Sequence, residues 1–264
     1  MFCGNMLYFE GTLLIMLKRE RQAYILHQVN LHNKVLCTDL SQAINVSDDT
    51  IRRDLQELAE EGKIIKVHGG ALSNSFHKGY SSAAEVYSYH QKQTIAVKAA
   101  SLIKDGMFVL TGGGTTILEL ARALPPQLNA TFMCGSIPIL LEYLNHPNIE
   151  VIAIGDKVSK NSKITIGQEA IARIKQIKCD LCFLGANAID IEHGVSDNDW
   201  EIVQVKKAMM ESAQKLVCLT IAEKLHSIQP LKICDITDID ILVTELPPDD
   251  PLLLPYVEAG VKVL

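Results

Sequence analysis

Val46-Ser47-Asp48-Asp49-Thr50-Ile51-Arg52-Arg53-Asp54-Leu55 is the stretch that decides how the first part of this chain folds. Ile51, Leu55 and Leu58 recur at the spacings of a helix with one face in a core. Ser47 is suited to cap that helix, and Asp48 and Asp49 fall in its first turn, where the helix dipole favours negative charge. The opposite face carries Asp49, Thr50, Arg52, Arg53 and Gln56. Such side chains hydrogen-bond base edges or phosphates, and arginine does so with two donors at once.

On the amino-terminal side, Thr38 is expected to cap a short helix from Asp39 to Ile44, and Asn45-Val46-Ser47 leaves room only for a turn. That is helix-turn-helix spacing. Lys18 to Asn30 predicts a preceding helix with Ile25, Leu26 and Val29 inward. On the other side Gly62 is a C-cap candidate, and Lys63 to Leu72 alternates into a strand, a Gly-Gly turn and a return. A basic hairpin beside a recognition helix is a wing, placing Lys66 and His68 near the backbone or a minor groove.

The run Val46 to Leu55, followed by Leu58, Gly62 and Val67-His68-Gly69-Gly70-Ala71, resembles the amino-terminal signature of the DeoR family of bacterial transcription regulators. The resemblance implies a winged helix-turn-helix that binds double-stranded operator DNA, joined to a sensor domain for a phosphorylated sugar or related metabolite. Arg52 and Arg53 would then contact bases or phosphates, Ser47 and Thr50 the DNA backbone, and Lys66 and His68 would serve the wing. Thr38 and Asp49 complete the expected DNA-binding set.

A length of 264 residues suits a small domain followed by a medium one. The apolar fraction of 48% is enough for filled cores, and a charged fraction of 21% argues against disorder. Net charge is −6, which excludes a generally basic nucleic-acid coat. Eight basic and eight acidic residues fall between Lys18 and Leu72, so the excess of acid lies elsewhere in the chain. DNA affinity must rest on local placement of charge and on dimerisation, and should fall steeply with salt. Seven scattered cysteines read as reduced thiols of a cytosolic protein, and Cys179-Asp180-Leu181-Cys182, in an apolar strand-like run, reads as buried rather than metal-binding.

Residues 1–17 read as a non-native extension, with Met16 the expected true start, because the family-like pattern begins near Lys18. The apolar pieces there are too short to span a membrane and wrongly flanked for a secretory signal. The remaining plan is a DNA-binding domain over 18–72, a polar linker over 73–84, a sensor domain over 85–250 and a tail over 251–264. From Glu85 onward short apolar runs alternate with helical stretches, beginning with the helix around Ile95 to Ile103 and the strand from Met107 to Leu110. That texture predicts an α/β fold with a mostly parallel sheet covered on both faces.

Thr111-Gly112-Gly113-Gly114-Thr115-Thr116 ends the first of these strands and opens a helix. Ligands of open parallel sheets bind at the carboxyl ends of strands, and a glycine turn at a helix start points free N–H groups at an anion. Gly112, Gly113, Gly114, Thr115 and Thr116 are therefore the expected phosphate seat, and Ser136, Glu201, Lys206 and Lys224 are expected to converge on the same rim. The run lacks the Lys-Ser or Lys-Thr of a Walker loop and the third glycine of a dinucleotide fingerprint. Gly135-Ser136 is no nucleophile elbow, so a hydrolase is rejected, and neither metal nor cofactor is called for.

This half also resembles the DeoR sensor domain, whose sheet is similar to that of ribose-5-phosphate isomerase, through Gly114-Thr115-Thr116 with Leu120-Ala121-Arg122-Ala123-Leu124, Phe183-Leu184-Gly185-Ala186, Glu192-His193-Gly194, Glu201 and Val205-Lys206-Lys207-Ala208-Met209. It departs from that family at Gly112 and Asn187, where Asp is usual, at Gly135, where Asn is usual, and at Ile221-Ala222-Glu223 before Lys224, where Asp-Ser-Ser is usual. The departures imply a phosphate pocket whose hydroxyl-reading side has changed. The expected function is a repressor of a carbohydrate-metabolism operon, released by a phosphorylated sugar and acting as a homo-oligomer of two or more chains. The alternatives are a regulator whose degenerate sensor serves only oligomerisation, and a sugar-phosphate isomerase with Asp190 or Glu201 as base.

Overall fold

A computed structural model describes residues 16–76 and 86–264. Most of the expected extension and most of the expected linker lie outside the described residues.

The first unit opens with α1 (Lys18–His32), a short β1 (Lys34–Leu36), α2 (Cys37–Ile44) and α3 (Asp48–Glu60). It closes with a hairpin of β2 (Ile64–Val67) and β3 (Gly70–Ser73). Ser47 caps α3, its hydroxyl accepting from the Thr50 N–H at 3.3 Å, and Gly62 follows the helix with φ +70°, as a C-terminal glycine should. Thr38 is not a cap: α2 begins two residues earlier than expected, at Cys37, and its N-cap position is Leu36, which leaves Thr38 exposed in the first turn. Ile25, Val29, Leu40, Ile51, Leu55 and Leu58 close one core, joined by Ile64 and Ala71 of the hairpin.

β1 makes the hairpin a three-stranded antiparallel sheet, with β3 in the middle. The close approach explains one glycine. A Cβ on Gly70 would lie 1.9 Å from the Val35 carbonyl oxygen, so only glycine lets β1 and β3 meet there.

The second unit starts at α4 (Tyr89–Ala100) and proceeds through β4 (Phe108–Thr111), α5 (Thr115–Arg122), β5 (Thr131–Cys134), α6 (Ile137–Tyr143) and β6 (Glu150–Ala153). A small hairpin, β7 (Lys157–Val158) and β8 (Thr165–Ile166), leads to α7 (Gln168–Lys175) and β9 (Cys179–Gly185). β10 (Ala188–Asp190), β11 (Gly194–Asp197), α8 (Trp200–Glu211), β12 (Ala213–Leu219), β13 (Leu231–Cys234), β14 (Ile241–Val243), α9 (Leu254–Glu258) and β15 (Lys262–Val263) complete it.

Seven strands form one sheet in the order β15-β14-β12-β9-β4-β5-β6, and every pairing in it is parallel. Alternate residues feed two cores: Leu181, Phe183 and Val217 pack under α4, α5 and α6, while Cys182, Leu184 and Leu216 pack under α7 and α8. Burial on both faces is why these strands read as unbroken apolar runs. The tail packs onto this unit, with β15 adding a strand to the sheet and Tyr256 of α9 fully buried.

β4 lies between β9 and β5, so the chain winds outward from it in both directions. The gap above β4 and β9 is thus the topological switch point, where the carboxyl ends of neighbouring strands leave a crevice.

Candidate functional sites

The DNA-reading face is built by α3 and β2. Asp49, Arg52, Arg53, Gln56, Glu57 and Lys66 line one shallow, open depression. Lys66 Nζ donates to Gln56 Oε1 at 2.8 Å, which ties the wing to the recognition helix. Arg52 lies 3.5 Å from Asp49, and the Ser47 and Thr50 hydroxyls are paired at 2.9 Å. Arg53 and His68 are exposed, the latter at the hairpin turn. Behind this surface Asp54 is buried and pairs with Arg21 of α1, which also lies largely inside. The Arg52-Arg53-Asp54 run therefore serves two purposes, two arginines outward and one carboxylate clamping α3 to α1.

The second site is the crevice above β4 and β9. Gly113, Gly114, Thr115 and Thr116 form one wall, Gly185, Ala186 and Asn187 another, and Lys92, Asp197, Lys206 and Lys224 reach it from the sides. The first turn of α5 has free N–H groups because Gly114, at its N-cap, brings no side chain to occupy them. Gly114 also has φ +108°, a conformation that strains any residue bearing a Cβ.

Of the three lysines at the crevice, one meets a carboxylate at close range. Lys206 Nζ donates to Asp197 Oδ2 at 2.7 Å and to the Gly185 carbonyl at 2.9 Å. Burial alone would raise the Asp197 carboxyl, but the ammonium of Lys206 and the Asn198 N–H hold it below its ordinary range. Lys224 donates to the Ala186 carbonyl at 3.2 Å, and Lys92 to the Tyr87 carbonyl at 2.6 Å, neither with a carboxylate partner in contact. Burial, and then the neighbouring ammonium, push Lys92 down to about 7 and Lys224 to about 8. Buried cations without counter-ions are costly, and an arriving anion relieves that cost.

Three expected pocket residues lie elsewhere. Glu201 points outward from α8 and pairs with Lys157 at 3.4 Å. A Cβ on Gly112 would touch Leu184 and the Phe183 backbone, so that position faces the sheet. Ser136 is fully buried behind the glycine turn, its hydroxyl without a partner. Conversely, the sequence reading overlooked Lys92 and Asp197. Lys92 had a signal: it precedes Ile95 and Ala96 by three and four residues, in phase with the buried stripe of α4. Asp197, in a short strand of the small antiparallel sheet, had none.

The crevice has a roof, which the sequence did not suggest. His32, Asn33, Lys34 and Leu72 of the DNA-reading head line the same cavity. His32 Nδ1 lies 3.2 Å from the Asn187 carbonyl oxygen, and Leu31 joins the apolar core of the second unit. Burial, then the nearby Lys224 charge, push His32 down to about 4, so its ring is neutral.

Two family models match the chain. Residues 21–76 match the DeoR-like helix-turn-helix domain, and residues 87–246 match the DeoR C terminal sensor domain. This chain belongs to the DeoR family. Among curated DeoR-type relatives it is 31% identical to the HTH-type transcriptional regulator GolR of Listeria innocua, over 92% of this chain and 97% of that one. It is 29% identical to the HTH-type transcriptional repressor GlcR of Bacillus subtilis, over 94% and 96%. A putative aga operon transcriptional repressor of Escherichia coli O157:H7 is 28% identical over 93% of each. Among solved structures, ribose 5-phosphate isomerase A from Methanocaldococcus jannaschii aligns over 51% of this chain and 53% of its own, at 19% identity and TM-score 0.38. eIF2B beta from Chaetomium thermophilum aligns over 91% and 69%, at 13% identity and TM-score 0.45. At such scores neither likeness bears on function. As a DeoR-family transcriptional regulator the chain is a DNA-binding protein rather than an enzyme. Among the described residues no helix is long and apolar enough to cross a membrane.

Proposed function

We propose that this DeoR-family regulator represses a carbohydrate-metabolism operon and is released from its operator by a phosphorylated sugar. The observation that carries the reading is the crevice over β4 and β9, where the free N–H groups of α5 and the ammoniums of Lys92, Lys206 and Lys224 surround space whose two lining carboxylates lie beside other lysines, Asp197 on Lys206 and Asp199 near Lys34. A phosphate monoester brings the negative charge that such a seat lacks, and oriented N–H groups bind it through hydrogen bonds. The effector acts by population shift, favouring one placement of the DNA-reading heads over the one that fits paired half-sites.

Thermal unfolding of the full chain against a panel of pentose and hexose phosphates tests the reading, since a ligand that binds only the folded state raises the melting temperature. The active compound is expected to release the protein from DNA fragments selected out of a random pool. On those fragments Arg53→Ala weakens binding about tenfold and lowers the salt slope by about one unit. No shift with any compound at millimolar concentration overturns the effector reading. The homo-oligomer reading draws on Ile137 and Leu141 of α6, Leu144 at its C-cap and Ile152 of the edge strand β6, all exposed. Leu144→Glu is expected to lower the mass found by sedimentation.

A further inference from the structure

The anion seat explains the lysines and the glycine turn but not the rest of the crevice. Besides donors such as Lys34, the roof and far wall carry two acceptors that nothing yet satisfies. The Asn187 Oδ1 is buried without any hydrogen-bond partner, in a residue only 6% exposed. The ring of His32 donates through Nδ1 to the Asn187 carbonyl oxygen, which can only accept. Nε2 is then a lone-pair acceptor, and no described residue donates to it. With Nδ1 protonated, the neutral ring cannot reverse these roles while it stays buried. One acceptor buried without a partner, Asn187 Oδ1, and a second, His32 Nε2, in a residue lining the same cavity call for donors on whatever fills it.

We propose that the DNA-reading head is itself part of the effector site: His32 of α1, together with Asn187 of the sensor half, accepts hydroxyl protons from a phosphorylated sugar or polyol whose phosphate lies at the glycine turn. This rests on the effector reading above. The ligand it selects is a phosphate monoester with hydroxyls beyond the ester carbon, because inorganic phosphate satisfies the lysines and leaves the acceptors bare. A molecule held from both sides binds more weakly when the head lets go, so by reciprocity its presence favours the docked head.

Two substitutions separate a ligand contact from a mere structural tie. In His32→Asn an amide nitrogen near the Nδ1 position keeps the bond to Asn187, and the Nε2 acceptor is gone. In His32→Gln the longer side chain restores an acceptor near the Nε2 position. Calorimetric titrations of the full chain use inorganic phosphate as the anion-only probe, and ribose 5-phosphate, glucose 6-phosphate and fructose 6-phosphate as hydroxyl-bearing probes. At least one sugar phosphate is expected to bind more tightly than inorganic phosphate. His32→Asn reduces that margin about tenfold and His32→Gln recovers most of it, while affinity for inorganic phosphate changes less than about twofold in both.

The proposal is overturned if His32→Asn keeps the full margin, if both variants lose it equally, or if no sugar phosphate outbinds inorganic phosphate in the unaltered chain. Those results leave the anion seat standing. Absence of binding by all four probes removes the effector reading and this proposal together.

Discussion

The side-chain amide of Asn198 donates to the Lys34 carbonyl oxygen at 2.9 Å, joining the loop before α8 directly to β1 of the DNA-reading head. With Lys34 Nζ at 4.0 Å from Asp199, it ties the head to one rim of the effector crevice. Asn198→Ala removes a neutral hydrogen bond, a loss of about 1 kcal/mol in docking. Amide hydrogen exchange in the last turn of α1 and in β1 is expected to speed up about fivefold, with β9 and β12 unchanged. Unchanged exchange in β1 would contradict the tie.

His32 makes the docked arrangement sensitive to acid. Its folded pKa of about 4 lies below the free value of 6.5, so between those values the unfolded or undocked chain binds the proton and the docked one does not. The contribution is intact above pH 6.5 and is lost as pH falls to 4. The loss amounts to about 3 kcal/mol. His32→Gln is expected to flatten the fall in melting temperature across that window relative to the unaltered chain.

Lys92 and Lys224 act at the other end of the scale. Both folded values, about 7 and about 8, lie below the ordinary lysine value of 10.5, so folding is favoured by the neutral amines and stability rises with pH from about 7 towards 10.5. Anion binding needs the charged forms and runs the opposite way. Affinity for inorganic phosphate is expected to fall about tenfold between about pH 7.5 and pH 9.5 by calorimetry, and Lys92→Met to blunt that dependence. A flat profile in the unaltered chain would remove these two lysines from the seat.

In the head, Asp54→Ala leaves the Arg21 guanidinium in a largely buried position without its carboxylate. Breaking such a pair from one side costs about 3 to 5 kcal/mol, since the remaining charge stays desolvated. Denaturant unfolding should register the loss in the head transition. Asp54→Asn, which retains an acceptor for Arg21, should lose less.

How much of this was legible beforehand differs between the halves. α3 declared itself through Ile51, Leu55 and Leu58 on one side and two arginines on the other, and its cap through Ser47, because all of these signals are local. The parallel sheet was legible for the same reason: its inner strands are apolar runs and most of its connections contain a helix. The roof over the crevice was not. His32 repeats the phase of Ile25 and Val29, which announces burial but not against what, and the contact with Asn187 spans 155 positions. Glu201 misled because its place in the chain matched the resemblance, while on α8 it faces solvent and pairs with Lys157.

The two adjoining glycines at the wing are not interchangeable spares. Gly69 is needed for a left-handed backbone, φ +77°, with open space around its Cα, so asparagine, which tolerates that conformation, can substitute. Gly70 has an ordinary backbone but no room, with the Val35 carbonyl where a first carbon would go. A saturation library over this pair should return a graded list of survivors at the first position and a blank column at the second.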